Sequence, residues 1–368
     1  MKKALVVLLI LAVAGGLFAQ SVSFSGRLDG GLGWTSFDGN DDSQIGLVAK
    51  NLEGNGIRAE LNGTVTSDNG TAGISTRIRA GAAGSSGFPG GINFRWAFGW
   101  VSFADDLLRV QGGRFQGNNF DTFCPISDGA TLYDNYGLLA YINPTDIIQI
   151  GVGAFTGETV SEAANMEKVN LYLGLGVYMG IFDLRAQFNM MKDDANLLVS
   201  ARTGAVQNLD IEATIDIRRL DDFSDSGTMT FMEHVGINMI ENLGIHIASA
   251  QSISQADDSD LALRVWAWLT YNMGTIIPRI DVNFGTGAGV NFNGSGIGVN
   301  DRYKVYKYDS DLTYLTVTPS VKFQVANNRF VDLGYCLGVD MSSNDKAALG
   351  SKNGGVNHAA YIDVLVRF

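Results

Sequence analysis

Few side chains in this sequence could do chemistry. His234, His246 and His358 are its only histidines, and Cys124 and Cys336 its only cysteines. A hydrolase needs a nucleophile, a histidine base and an orienting group within hydrogen-bond reach. His358 falls by alternation on the outer face of its segment, near a rim, with no serine motif beside it. A histidine of an interfacial girdle is the simpler reading, so no catalytic residue is assigned. Two cysteines are too few for a disulfide scaffold, and no CxxC or Cys/His spacing suggests a metal. The aspartate-rich runs Asp38–Asp42 and Asp257–Asp260 lack the spacing of a calcium loop. The glycine-rich stretch Gly285–Gly298 is not set between a strand and a helix, so it is not a phosphate cradle. Neither a metal nor a cofactor is expected. What remains is a set of arginines on the polar faces of strands, among them Arg58, Arg95 and Arg109, which fall by parity on an inner face.

The elements that would position these arginines are strands. Period-two alternation runs almost from end to end. In the first segment Val22, Phe24, Leu28, Leu32 and Trp34 oppose Ser21, Ser23, Ser25, Arg27 and Asp29. The same reading recurs at 57–65, 169–178, 182–190 and 209–217. A soluble sandwich also alternates, with its apolar face inward. Long strands, polar faces dense in charge and glycine, and alternating short and long connections favour a membrane barrel instead. The expected outer band comprises Leu28, Leu61, Leu173, Leu184, Ile211, Val282 and Val364. The expected fold is all-β, an antiparallel up-and-down transmembrane barrel of about 18 strands, with 16 or 20 left open because boundaries read from sequence are imprecise. The count takes 43–50 as a wall strand. It assigns the alternating stretch 72–80 to an extracellular loop or hairpin, because single-chain bacterial barrels have an even strand number.

Lys2 and Lys3 precede an apolar run from Ala4 to Ala14, and Gly15, Gly16, Leu17, Phe18 and Ala19 follow, the last a small residue at a plausible cleavage point. This is the pattern of a signal peptide over 1–19, with the barrel over 20–368. Eleven apolar residues are too few for a spanning helix, which needs about 20. The formal charge is −12, and losing Lys2 and Lys3 makes it −14. An acidic chain lacks the basic face that nucleic acid requires. It is compatible with a lumen that favours cations, or with acidic loops that only keep the surface soluble. The last segment alternates from Val356 to Phe368, and the chain ends on that aromatic residue. Such a strand resembles the signal by which barrel proteins are recognised by the outer-membrane assembly machinery.

Several motifs up to Ile142 resemble the general diffusion porins of Gram-negative outer membranes. They are Ser23-Phe24-Ser25-Gly26-Arg27-Leu28-Asp29-Gly30-Gly31-Leu32, Ser43-Gln44-Ile45-Gly46-Leu47, and Gly56-Ile57-Arg58-Ala59. Arg95-Trp96-Ala97-Phe98-Gly99-Trp100 and Leu108-Arg109-Val110-Gln111-Gly112-Gly113-Arg114-Phe115 resemble the hairpin before the family's constriction loop. Beyond Ile142 the resemblance is one of general pattern, together with Phe368. It implies an outer-membrane, water-filled channel for small hydrophilic solutes and ions, surrounded by lipid and, by analogy, trimeric. It also implies that Gln116–Ala130 folds into the lumen, with Asp121 and Asp128 facing wall arginines, Arg27 and Arg114 matching wall positions by motif. Here the loop is shorter than in the family, and Gln44 stands where another arginine is common, which points to a wider constriction or one built from other loops. Cys124 would lie in that loop and Cys336 on the penultimate strand; a disulfide between them would need Cα atoms within about 7 Å. Two other functions fit a barrel. A fatty-acid-type channel carries a plug before its first strand, whereas here the strand pattern begins next to Gln20. An adhesin or structural barrel would act through its loops, in which nothing is diagnostic.

Overall fold

The computed structural model describes residues 21–36, 44–48, 58–81, 92–116, 119–126, 133–156, 169–191, 194–255, 261–286, 297–299, 303–306, 313–341 and 356–368. The expected signal peptide lies outside them. Among the described residues helical geometry is confined to Leu220–Asp222 and Phe223–Ser226, and no helix is long and apolar enough to cross a membrane.

The strands of the first half are β1 (Ser21–Ser36), β2 (Gln44–Val48), β3 (Arg58–Thr66), β4 (Ala72–Gly81), β5 (Ile92–Phe103), β6 (Leu108–Gln116), β7 (Tyr133–Ile142), β8 (Ile148–Thr156), β9 (Asn170–Tyr178) and β10 (Phe182–Met191). Next come β11 (Asp194–Thr203), β12 (Leu209–Arg218), β13 (Thr228–Ile240), β14 (Leu243–Ser254), β15 (Ala262–Tyr271) and β16 (Ile276–Thr286). The short β17 (Ile297–Val299) and β18 (Tyr303–Tyr306) pair only with each other. The last three are β19 (Tyr314–Ala326), β20 (Arg329–Asp340) and β21 (Val356–Arg367).

All pairings are antiparallel, and β21 returns to β1 with Arg27 opposite Arg367 and Ser36 opposite His358. Eighteen strands therefore close the ring: β1, β3 to β16, and β19 to β21. Closure satisfies the backbone groups that an open sheet would leave bare, which is the condition for a sheet to cross a bilayer. The strand total agrees with the sequence reading, but its membership needs correction. Ala72–Gly81 is not a loop hairpin. It is a full wall strand, paired with β3 on one side and β5 on the other. The 43–50 segment is not a separate stave. Asp29 of β1 pairs with Arg58 of β3, while Gly31 pairs with Val48 of β2, so β2 continues the line of β3 along the same edge of β1. The reason is length: β1 has 16 residues and β3 only nine, which leaves edge for a second, shorter partner.

Both described ends and the tight turns share one rim. Ser21 pairs with Thr66 just before the turn at 67–71, and Arg367 N–H donates to the carbonyl of Asn328 in the β19–β20 turn. Several of these turns take a left-handed residue, such as Gly180 at φ 79° and Asn242 at φ 64°, which suits two-residue hairpin connections. The described connection between β12 and β13, residues 219–227, lies at the other rim.

The faces are inverted relative to a soluble protein. On β9, Leu171 and Leu173 are each 54% exposed, while Tyr172 between them is buried. Leu28, Ile211 and Val364 of the expected band are exposed, and Leu61, Leu184 and Val282 partly so. The inner face buries Asp29, Glu60, Asp183, Asp216 and Asp281. A continuous apolar exterior of this size would not persist in water; the chain is a membrane-spanning barrel with a polar lumen.

Candidate functional site

Part of the connection between β6 and β7 lies against the inner face of the wall. Its described part, residues 119–126, runs across the inner face from β8 and β9 to β15. Phe120 is its first anchor and is fully buried, in a cluster with Phe115, Leu139, Tyr141, Phe155 and Tyr172. Its ring lies 5.8 Å from that of Tyr141 and 6.2 Å from that of Tyr172. The wall beneath is made of Gly151 and Gly174. A Cβ at either would come within 2.4 Å and 2.3 Å of the Phe120 ring respectively, so the bare backbone there is what admits the side chain.

Polar contacts hold the middle of the loop. Thr122 and Thr214 share a 2.7 Å hydroxyl hydrogen bond. Phe123 N–H donates to Ser200 Oγ at 2.9 Å. Ser200 and Thr214 are themselves linked at 2.7 Å. Arg185 on β10 donates from Nη1 to the carbonyl of Asp121 at 3.2 Å, and its guanidinium lies 4.0 Å from the Phe123 ring centroid. The far end is apolar: Cys124 and Ile126 pack on Met232, Ala248, Ala250 and Ala262, with Trp266 and Trp268 alongside. The small inward residues of β14 and β15 make room for the loop against the wall.

The sequence-derived site residues are placed as follows. Arg27 faces the lumen and is ion-paired to Asp29 at 2.7 Å and to Glu60 at 3.7 Å; Glu60 also takes Arg79 at 2.6 Å. Arg109 sits on the inner face between Ser102 and Tyr141 in register, 4.8 Å from the Trp100 ring centroid. Arg58 is level with Asp29, and its side chain lies outside the described residues, as does Asp128. Arg95 occupies a bulge: Arg77 pairs with Trp96 and Ile78 with Phe94, so it is the extra residue between them. Arg114 pairs with Ala97 and Tyr136, on the face opposite Phe115, and donates to the Phe94 carbonyl at 2.7 Å. Asp121 lies in the inward loop, with Oδ1 accepting from Thr122 N–H at 2.9 Å. Phe368 exchanges backbone hydrogen bonds with Gly26, and its ring covers that glycine. Cys124 and Cys336 are both buried and free. The structure also brings Arg185, which the motifs did not pick, to the backbone carbonyl of Asp121. Arg185 had a legible signal, its place on the polar face of an alternating strand; nothing local tied it to the loop.

Many wall arginines are neutralised within the wall. Besides Arg27, Arg202 pairs with Asp183 at 2.7 Å, Arg218 with Asp216 at 3.1 Å and Arg279 with Asp281 at 2.5 Å. Among the described residues Arg109, Arg185 and Arg264 have no carboxylate within salt-bridge distance. No group of three or more metal-ligating side chains occurs among the described residues.

A closed barrel of 18 antiparallel strands, with a polar lumen and an inward-folded loop after its fifth wall strand, has the porin-type fold. Solved structures share it. Pseudomonas aeruginosa OccK11 (OpdR) superposes with a TM-score of 0.59 at 8% identity, covering 95% of this chain and 97% of that one. Pseudomonas aeruginosa OprD gives a TM-score of 0.57 at 11% identity, with 95% and 96% covered. A mutant of the Rh. blastica porin gives 0.50 at 10% identity, with 95% and 100% covered. At these identities the likeness is one of fold. No protein-family model and no curated protein matches the sequence.

Proposed function

We propose that this protein is an outer-membrane porin, a water-filled channel for passive diffusion of small hydrophilic solutes and ions. The observation that carries this reading is the combination of an apolar exterior band with a charged lumen into which residues 119–126 dock. Side chains such as Arg27, Asp29, Arg185 and Asp183 along the path suit hydrated solutes rather than acyl chains. The fold shared with a porin supports the same conclusion. Export through a signal peptide cleaved after Ala19, insertion aided by the Phe368 strand, and a homotrimeric state belong to this proposal.

The loop and wall together set the passage. Paired wall charges partly cancel one another, so the local field is weighted towards Arg109, Arg185 and Arg264. The overall acidity of the chain, which alone would favour cations, is offset at the constriction by these arginines. Reconstitution in a planar bilayer tests the reading: discrete open-channel steps in simple salt are expected, with uptake of small sugars in liposome swelling. A purified, folded barrel that passes neither ions nor sugars would refute it. Migration of unheated protein at three times the chain mass would support the trimer.

A further inference from the structure

Directly towards the turn rim from the docked loop, the wall carries a chain of three ionisable groups, covered by a tryptophan that also packs on the apolar end of the loop. His234 follows Met232, whose carbonyl accepts from the Cys124 thiol of the loop, on the inner face of β13. Nδ1 of His234 lies 3.0 Å from Oε2 of Glu212 on β12. Its Nε2 lies 3.1 Å from Nδ1 of His246 on β14. The two imidazoles are nearly coplanar, at 3°. The indole of Trp268 on β15 lies flat over both, at 3° to His234 and 6° to His246. Gly236 faces His246 across the β13–β14 ladder, and a Cβ there would come within 2.8 Å of His246 Nδ1. The ring is thus seated on bare backbone and covered by tryptophan, so its orientation is built in.

We infer that Glu212, His234 and His246 form a proton-operated charge switch in the lumen: acid loads the histidine pair, breaks its mutual hydrogen bond and turns the passage towards anions. At neutral pH one proton per imidazole satisfies the chain. His234 Nδ1–H donates to Glu212, and His246 Nδ1–H donates to His234 Nε2. A first proton from solvent enters at His246 Nε2 and leaves every hydrogen bond in place; the cation it makes is covered by Trp268. A second proton has only His234 Nε2 to enter, and that atom is the acceptor for His246. Two N–H groups on two cations then face each other, and the pair must part. Imidazole is the side chain whose ordinary titration range lies between pH 5 and 8.

The surrounding groups allow this. Glu212 and Asp210 face the pair from β12; Asp210 is engaged by Asn238 Nδ2 at 3.2 Å. Arg279 on β16 lies 5.4 Å from the Trp268 ring centroid, on a guanidinium already paired with Asp281. The Cys124 thiol of the loop lies one level away, towards the long-loop rim. Glu212 can balance one added proton but not two.

The inference rests on the channel reading, and one experiment separates the two. Reversal potentials in a planar bilayer are measured from about pH 7.5 to about pH 5, above most carboxylate titration. Native protein should raise its anion-to-cation permeability ratio about two-fold or more at low salt, since lumen charge sets selectivity. His234→Gln and His246→Gln should each lose part of that response, and the double variant most of it. Gln at 246 can still donate an amide hydrogen to His234, which keeps the single variant foldable. Open channels whose pH response is the same in native protein and in either single variant would overturn the switch alone. A folded barrel without conductance at any pH would overturn both.

Discussion

Phe120→Ala removes the side chain that pins the loop at its first contact. The ring is fully buried between Tyr141 and Tyr172, over the glycine backbone of β8 and β9. Truncating a buried Phe to Ala costs about 3–5 kcal/mol in a packed core. The barrel itself should not bear that cost, because its stability lies in the closed ladder and the lipid-facing band. The loss falls on the docked loop, held otherwise by the Thr122–Thr214 and Phe123–Ser200 hydrogen bonds and the apolar contacts of Cys124 and Ile126. Each 1.4 kcal/mol is a factor of ten, so even about 3 kcal/mol shifts the docked-to-undocked ratio about a hundredfold. Single-channel recording should then show larger mean conductance and frequent transitions as the loop leaves and returns. Gly174→Ala tests the same joint from the other side, since its Cβ would collide with the Phe120 ring. Heat-shifted migration on gels and a β-type circular dichroism spectrum would establish that each variant is folded. If both variants fold and conduct with native amplitude and native noise, Phe120 does not hold the constriction and the loop is not the narrowing element.

Other outcomes follow from the wall. Arg185→Ala and Arg109→Ala should each move the reversal potential towards cation preference at about 0.1 M salt, and the effect should fade at about 1 M, where the screening length falls to about 3 Å; unchanged potentials at low salt would make these arginines purely structural. Asp29→Asn should act with the opposite sign, because it leaves Arg27 and Arg79 facing Glu60 alone, and the same electrode pair reads it. Leu173→Arg, on the exposed face of β9, should cost about 2–4 kcal/mol near the bilayer midplane, seen as a lower urea midpoint, whereas Arg185→Ala should leave that midpoint near its native value. Cys124 and Cys336 should react with a maleimide only after denaturation and then give two thiols per chain; one equivalent or none in unreduced protein would mean that they are oxidised.

Alternation made the barrel legible because it is a local property of every strand, readable two residues at a time. Membership of the ring was not local. The segments 43–50 and 72–80 both alternate, and no feature of either states which strand edge it meets or how far along. That depends on β1 being longer than β3. Side-chain direction is likewise not legible where the ladder slips. The register shift opposite Arg77 and Ile78 makes Arg95 a bulged residue. Gly113, at φ 136°, immediately precedes Arg114, whose register sets it on the outer face. The loop's docking was the least legible part, because its contacts span the chain: Thr122 reaches 92 residues to Thr214, and Cys124 reaches 108 to Met232. Even so, Ala248, Ala250 and Ala262 stand as small apolar residues on a face that is elsewhere polar, and that composition is the trace the loop leaves in the wall's sequence.

The arrangement of lumen charge explains why net charge is a poor guide to what such a wall does. Three of its ion pairs are between residues two apart on one strand: Arg27 with Asp29, Asp216 with Arg218, and Arg279 with Asp281. Two apart is the spacing that puts both side chains on the same face, so a strand can bring its own counter-ion into a polar interior wherever it lies in the sheet. Such pairs are short dipoles along the wall, and their fields fall off faster than that of a lone charge. A charge without a carboxylate partner acts at longer range, and Arg185 holds that position beside the loop's Asp121 carbonyl and the Phe123 ring. Selectivity should therefore respond strongly to changes at Arg109, Arg185 and Asp29, and weakly to removing both members of a pair such as Asp216 and Arg218 together, although the second change deletes twice as many charged groups.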